Sequence, residues 1–430
     1  MNIKSKFDLI LNDKRFTNSF WMIIEKSISL FGLVFIISAM AKYMGPKSYG
    51  YLALATSIFL IVKSISQLGI DQIYFKHISK GNVLNNIFLK NAVILIAITY
   101  ALMAFLILMY FKKNIPVEEY ILFAAVGVSM LFLSVDIRAI HLDAILQTKI
   151  NVVCNIFGLV VSLILRYLII KYEQPIYYLS FPIVILTLLP FVIRWFFFKY
   201  KKPLIEKNNS LKYFKGYSLY IFMAGVPLVI SVLSVNIYLQ SANFMLAHFH
   251  DIESVGKYSV SMMLASSWYF LPTTFILSFL PKIYATKNNN EYLIESAKIL
   301  RYLCLVVFFI IIVLYFLSGY VVLALYGSSY VDSILPFKVL LISNFFSIIG
   351  FFFYRLIVKF SGYSFLAKKM LVTCIFNLFL AYFLVREYGL LGAALASLIT
   401  EFVSNLIFNL FYRKIQLLKI LKLAFLGKIV

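Results

Sequence analysis

Long apolar runs recur along the chain, separated by short polar gaps. A helix needs about 20 mostly apolar residues to cross a hydrocarbon core about 30 Å thick. Twelve runs meet that length: 18–41, 49–70, 88–111, 119–140, 150–171, 176–198, 216–247, 257–281, 298–326, 334–358, 368–386 and 390–412. Their continuity excludes a barrel, whose short strands would alternate apolar and polar positions. The pattern predicts an all-α polytopic membrane protein of about twelve transmembrane helices, arranged as two six-helix lobes around a central cavity. Composition agrees: 63% of the 430 residues are hydrophobic and 13% charged, where a soluble domain has about 25% charged residues.

Charge adds orientation. Lysine and arginine crowd every second gap: Lys4, Lys6, Lys14 and Arg15 before the first run, a central block from Lys199 to Lys215, and Arg413, Lys414, Lys419, Lys422 and Lys428 after the last. About 24 basic residues fall on that side and about seven on the other, so both termini and the central loop are expected in the cytoplasm. The net charge of +23 then reads as orientation and contact with membrane lipids, not nucleic acid. The central loop contains Pro203 and an Asn208-Asn209-Ser210 turn. It divides the chain into an N-terminal lobe (1–198), a linker (199–215), a C-terminal lobe (216–412) and a basic tail (413–430). The turn Gly45-Pro46-Lys47-Ser48-Tyr49-Gly50-Tyr51 is echoed by Ser254-Val255-Gly256-Lys257-Tyr258-Ser259, which suggests parallel repeats.

Little soluble chemistry is visible. Lys4 to Arg15 precede a run too long for a signal-peptide core, so the first helix is read as a permanent anchor. Cys154, Cys304 and Cys374 lie inside predicted spans and read as packing residues. His77, His141, His248 and His250 form no metal-ligand pattern, and no phosphate-binding P-loop occurs. No cofactor is expected.

Ionisable residues inside apolar runs are the informative ones, since each costs several kcal/mol, about 3 or more, unless paired or wet. Glu25 and Lys26 lie in the first run, Lys63 in the second, Arg166 in the fifth and Glu401 in the twelfth. Polar stripes accompany them at helical spacing: Thr56, Lys63 and Gln67; Asn155, Ser162 and Arg166; Asn236, Gln240 and Asn243; Ser397, Glu401, Asn405 and Asn409. Together they predict a hydrated cavity lined by Gln67, Asn155, Asn236, Gln240, Asn243 and Asn405. Plainer readings stand beside this one. Arg166, Arg301 and Arg355 are within snorkelling reach of an interface, Glu401 suits an interhelical ion pair as well as ion coupling, and the amide stripe on the seventh run could only bind helices together.

At these residues a family resemblance emerges. Asn18-Ser19-Phe20-Trp21-Met22-Ile23-Ile24-Glu25-Lys26, then Ala41-Lys42-Tyr43-Met44-Gly45-Pro46-Lys47-Ser48-Tyr49-Gly50, then Gln67-Leu68-Gly69-Ile70-Asp71 resemble the opening of Wzx-type O-antigen flippases. These are polysaccharide transporters of the multidrug/oligosaccharidyl-lipid/polysaccharide exporter superfamily. Tyr326-Gly327-Ser328-Ser329-Tyr330 and Glu387-Tyr388-Gly389-Leu390-Leu391-Gly392-Ala393-Ala394-Leu395-Ala396-Ser397 are similar to later segments of that family. The resemblance covers nearly the whole chain.

The resemblance implies a flippase of the bacterial inner membrane, not an enzyme. Its substrate would be an undecaprenyl-pyrophosphate-linked oligosaccharide, the O-antigen or capsule repeat unit, moved by alternating access with or without an H⁺ or Na⁺ gradient. It also implies polysaccharide polymerase and chain-length proteins as partners. Lys26, Lys63 and Arg166 are the expected pyrophosphate or acidic-sugar contacts, with Glu25 and Glu401 as pairing or coupling acids. Many relatives carry an acid where this chain has Asn243, which removes that position from a coupling role. The rival readings are a multidrug exporter of the same superfamily, a lipid II flippase, whose family usually has fourteen spans, and an O-antigen polymerase-like enzyme, whose large extracytoplasmic loop has no counterpart here.

Overall fold

The computed structural model describes residues 14–79, 86–200, 214–286, 288–412 and 414–426. The basic residues at 1–13, Lys80, most of the central linker and Lys428 lie outside these. Every regular element among the described residues is helical. In chain order they are α1 (Lys14–Gly32), α2 (Ser38–Gln67), α3 (Ile70–Ser79), α4 (Asn86–Phe111), α5 (Val117–Val135), α6 (Ile137–Ala144), α7 (Thr148–Lys171), α8 (Ser180–Tyr200), α9 (Phe214–Phe249), α10 (Ile252–Ser266), α11 (Phe270–Ala285), α12 (Asn289–Tyr326), α13 (Ile334–Lys359), α14 (Tyr363–Phe402) and α15 (Lys414–Leu426). Leu33–Ile37 and Val403–Phe408 are π-helical turns that continue α1 into α2 and extend α14.

Nine described stretches are long and apolar enough to cross a membrane. Two of them, Ile24–Gln67 and Tyr363–Phe408, contain 44 and 46 residues, about twice what one crossing needs. Each breaks at a glycine with positive φ: Gly45 (φ 74°, ψ 167°) and Gly389 (φ 53°, ψ −126°). Only glycine enters these regions without a Cβ penalty, so each stretch is two spans joined by a sharp bend. With the 36-residue α9, helices cover each of the twelve runs read from the sequence.

Some boundaries move. The span expected at 119–140 ends at Val135, because Asp136 (φ −83°, ψ 61°) leaves the helix and α6 restarts beyond it. The span expected at 257–281 is α10 and α11, joined through three-residue turns at Ser267, Tyr269 and Leu271. Pro272 sits in the first turn of α11, where its missing N–H costs nothing.

The chain forms two compact units: Met1–Met44 with Leu54–Asn236, and Gly45–Ala53 with Ile237–Val430. In the first unit Phe59 stacks on Tyr100 (6.4 Å) and meets Phe123 edge-on (5.4 Å). Gly127 makes room for the Phe59 ring, since a Cβ there would come within 2.8 Å of it. In the second unit the echoed turns pack against each other: a Cβ on Gly256 would lie 2.0 Å from the Pro46 carbonyl oxygen, and one on Gly50 1.9 Å from that of Ile252. The outward faces of α4, α7 and α12 carry exposed Phe105, Leu106, Ile164, Phe309 and Phe316, a surface suited to hydrocarbon and not to water. All three cysteines are buried and unbridged, as packing residues should be.

Candidate functional site

Two buried polar clusters stand out, one in each unit. In the first, Asp136 ends α5 and accepts from Arg194 of α8, with Arg194 Nε to Asp136 Oδ2 at 2.8 Å. The same guanidinium donates through Nη1 to Asn151 Oδ1 and Asn155 Oδ1 of α7, both at 2.8 Å. Asn155 Nδ2 passes the chain on to Glu25 Oε1 of α1 (2.9 Å), and Asn151 Nδ2 to Asp143 Oδ2 of α6 (3.1 Å). Arg194 and Asp136 are only 4% and 6% exposed. A buried charge is tolerated when paired and hydrogen-bonded, and the five-donor fork of arginine can meet a carboxylate and two amides at once. The cluster therefore ties α1, α5, α6, α7 and α8 together. Beside it, in the corner outside the spans, burial pushes the Asp143 carboxyl above its ordinary value against the pull of its Asn151 and Thr148 hydrogen bonds and of the Arg194 charge. His141, bonded through Nδ1 to the Tyr74 hydroxyl at 2.8 Å, is held below the usual histidine range by burial.

The second cluster is built differently. Glu401, 9% exposed near the end of α14, accepts from Asn405 Nδ2 at 2.5 Å and from Ser347 and Tyr238. Lys369 Nζ, at the other end of α14, donates to Asn405 Oδ1 (3.2 Å) and Asn409 Oδ1 (2.9 Å). Ammonium and carboxylate thus face one another through the carboxamide of Asn405. The π turn Val403–Phe408 carries Asn405, and wide turns of this kind recur at functional positions. Gly350 of α13 gives the amide its space: a Cβ there would stand 2.1 Å from Asn405 Cγ. Ser241 Oγ donates to Asn377 Oδ1 (2.6 Å), whose Nδ2 donates to Thr400 Oγ1 (3.0 Å). A small pocket is lined by Tyr238, Ser241, Asn377, Ser397, Thr400 and Glu401.

The residues singled out in the sequence are distributed as follows. Glu25 and Asn155 meet in the first cluster, and Glu401 and Asn405 in the second. Lys26 is exposed on α1, Lys63 half-buried on α2 and Arg166 buried on α7. Gln67 Nε2 donates to the Ser134 carbonyl (3.3 Å) and Asn236 Nδ2 to Ser64 Oγ (2.6 Å). Asn243 bonds Gln240 (3.3 Å) and accepts from Ser259 (3.4 Å), consistent with amide glue between helices. Among the described residues no group of acidic, histidine or cysteine side chains is arranged to hold a metal.

Sequence reasoning missed Asp136, Asn151, Arg194 and Lys369. Lys369 stands beside Lys368 at the start of the run expected at 368–386, where an interfacial charge is ordinary, yet it is buried on α14. Its signal was present: Lys369, Thr373 and Asn377 recur every four residues on one helical face. Asp136 and Arg194 lie near run ends, where snorkelling hides a buried partner.

Comparison with known proteins places these clusters in context. The sequence profile described as "Polysaccharide biosynthesis protein" matches residues 16–268. The capsular polysaccharide biosynthesis protein CapF of Staphylococcus aureus is 25% identical over 262 residues, which are 60% of this chain and 65% of CapF. The match therefore spans less than two thirds of that relative. A lipid II flippase MurJ structure in an inward closed conformation has a TM-score of 0.68 at 16% identity, covering 95% of this chain and 90% of MurJ. An inward-facing multidrug resistance MATE transporter of the MOP superfamily has 0.60 at 16% identity, covering 91% and 95%. These likenesses show the fold, which is similar to that of the MurJ and MATE structures. With its profile matching more than half of the chain, the protein belongs to the polysaccharide biosynthesis protein family.

Proposed function

We propose that this protein is a flippase that moves an undecaprenyl-pyrophosphate-linked oligosaccharide from the cytoplasmic to the outer leaflet of the bacterial inner membrane, with both termini in the cytoplasm. The family match over residues 16–268 carries the reading, and the transporter fold supports it. The physical need is plain, because a pyrophosphate with its sugars cannot cross about 30 Å of hydrocarbon unaided. Lys26, Lys63 and Arg166 neutralise the pyrophosphate or an acidic sugar while the lipid tail stays in the bilayer. Gln67, Asn155, Asn236, Gln240, Asn243 and Asn405 supply amides along the route. Glu25 and Glu401 are the acids through which an H⁺ or Na⁺ gradient would act. Polymerase and chain-length proteins would receive the translocated unit.

The test is to delete the gene and locate the lipid-linked oligosaccharide, using a membrane-impermeant lectin on spheroplasts and on inverted vesicles. Complete units held on the cytoplasmic leaflet, with loss of surface polymer, are expected. Units that still reach the outer leaflet in a strain without a second flippase would refute the reading. Drug sensitivity with normal surface polysaccharide would instead select the multidrug exporter.

A further inference from the structure

The last helix, α15, has three distinct sides. Leu417, Ile420 and Ala424 are buried at 4%, 0% and 2% exposure and form one stripe. Arg301 of α12 fastens the same helix at its far end, donating from Nε to the Ala424 carbonyl (2.6 Å) and from Nη2 to the Leu423 carbonyl (2.7 Å). One guanidinium thus holds two successive backbone carbonyls of α15. The side opposite the buried stripe carries exposed Lys419 and Lys422. Between the two, on one flank, Leu418 and Phe425 lie seven residues apart and are 39% and 60% exposed. A water-facing helix has no use for that flank.

The level of α15 along α12 follows from two exposed tyrosines. Tyr302 and Tyr320 are 62% and 75% exposed, and the helix rises about 27 Å between them. That is close to the hydrocarbon thickness, and tyrosine favours both of its boundaries. Arg301 adjoins the first of these tyrosines, so its hydrogen bonds hold the C-terminal end of α15 at the membrane interface. An interfacial helix places apolar side chains at the acyl boundary and lysines among headgroups, and the two free sides of α15 match that division.

We propose that α15 is an interfacial strap that binds anionic phospholipid headgroups through Lys419 and Lys422, with Leu418 and Phe425 dipping into the acyl chains. The site is separate from both polar clusters and independent of what the protein transports. The charges of Lys419 and Lys422 complement the lipid phosphate, and Arg301 anchors the surface to α12.

Two measurements on the full-length protein in nanodiscs test this. Since the native cysteines are buried, a nitroxide can be attached selectively at Leu418→Cys. In nanodiscs containing phosphatidylglycerol it should collide more with oxygen than with a water-soluble nickel chelate, and a label at Lys419→Cys should show less of that preference. A Leu418→Cys label preferring the nickel chelate would overturn the proposal. Native mass spectrometry should show phosphatidylglycerol bound in preference to phosphatidylcholine. Lys419→Gln with Lys422→Gln should weaken this by about fivefold per lysine, with unchanged melting as the control for folding. Retention unaffected by the double substitution would overturn the proposal, as would equal retention of the two lipids.

Discussion

The two polar clusters solve the same problem in opposite ways. In the first, Arg194 and Asp136 touch directly, and two asparagines take up further guanidinium donors. In the second, Lys369 and Glu401 are held apart by the amide of Asn405, and the carboxylate opens onto a pocket. A direct pair in a low-dielectric interior resists rearrangement, because separating it exposes both charges at once. A pair bridged by a neutral amide can lose or gain a proton, or admit a cation, by turning one side chain. The first cluster is thus the more rigidly tied, and the second is the one whose bridge a single side-chain rotation would break.

The contrast is breakable at several points. Asp136→Ala should have the largest effect on stability, leaving Arg194 buried without its carboxylate at a cost of about 3–5 kcal/mol; a sharp fall in the detergent melting midpoint and in membrane abundance would register it. Replacing Asp136 and Arg194 together by Leu and Met should recover much of that loss, and failure of the double variant to recover would deny this rigid tie. Lys63→Ala should act on transport alone, abolishing complementation of a deletion strain while abundance stays normal. Full activity of that variant would remove Lys63 from the mechanism.

A milder effect, about 1–3 kcal/mol, is expected for Asn405→Ala, which strips Glu401 and Lys369 of a shared partner. Gly350→Ala should act at the same place by pushing the Asn405 amide aside. If the bridge serves transport, both variants lose translocation out of proportion to their melting shifts. Proportional losses would make the second cluster merely structural.

The smallest effect concerns pH. Burial lowers the His141 pKa in the folded protein, so the unfolded chain binds its proton more readily. Stability from this histidine is complete above the unfolded value of about 6.5 and is lost as pH falls through the lower folded value. His141→Gln should flatten the fall in melting midpoint between neutral pH and about pH 5. Equal pH dependence in the two proteins would count against this account.

Legibility varied with the physics involved. Spans were readable because each run must be apolar for about 20 residues regardless of its neighbours. Glu25 and Glu401 were readable because a carboxylate inside such a run stands out against it. Arg194 and Asp136 were not, as each sits near a run's end, where an ordinary interfacial charge looks identical. Lys369 was lost beside its neighbour Lys368, since two adjacent lysines at the start of a predicted run look like ordinary interfacial charges.

Length and polarity of the runs by themselves determined the helical class, the span count and the residues in need of partners, because hydrocarbon imposes the same local demand on every crossing segment. Which partners meet was decided by tertiary structure. A carboxylate at the end of α5 and a guanidinium on α8 become a pair only when the helices between them bend and pack, and side-chain pairing depends on distances that helical periodicity within one segment does not contain.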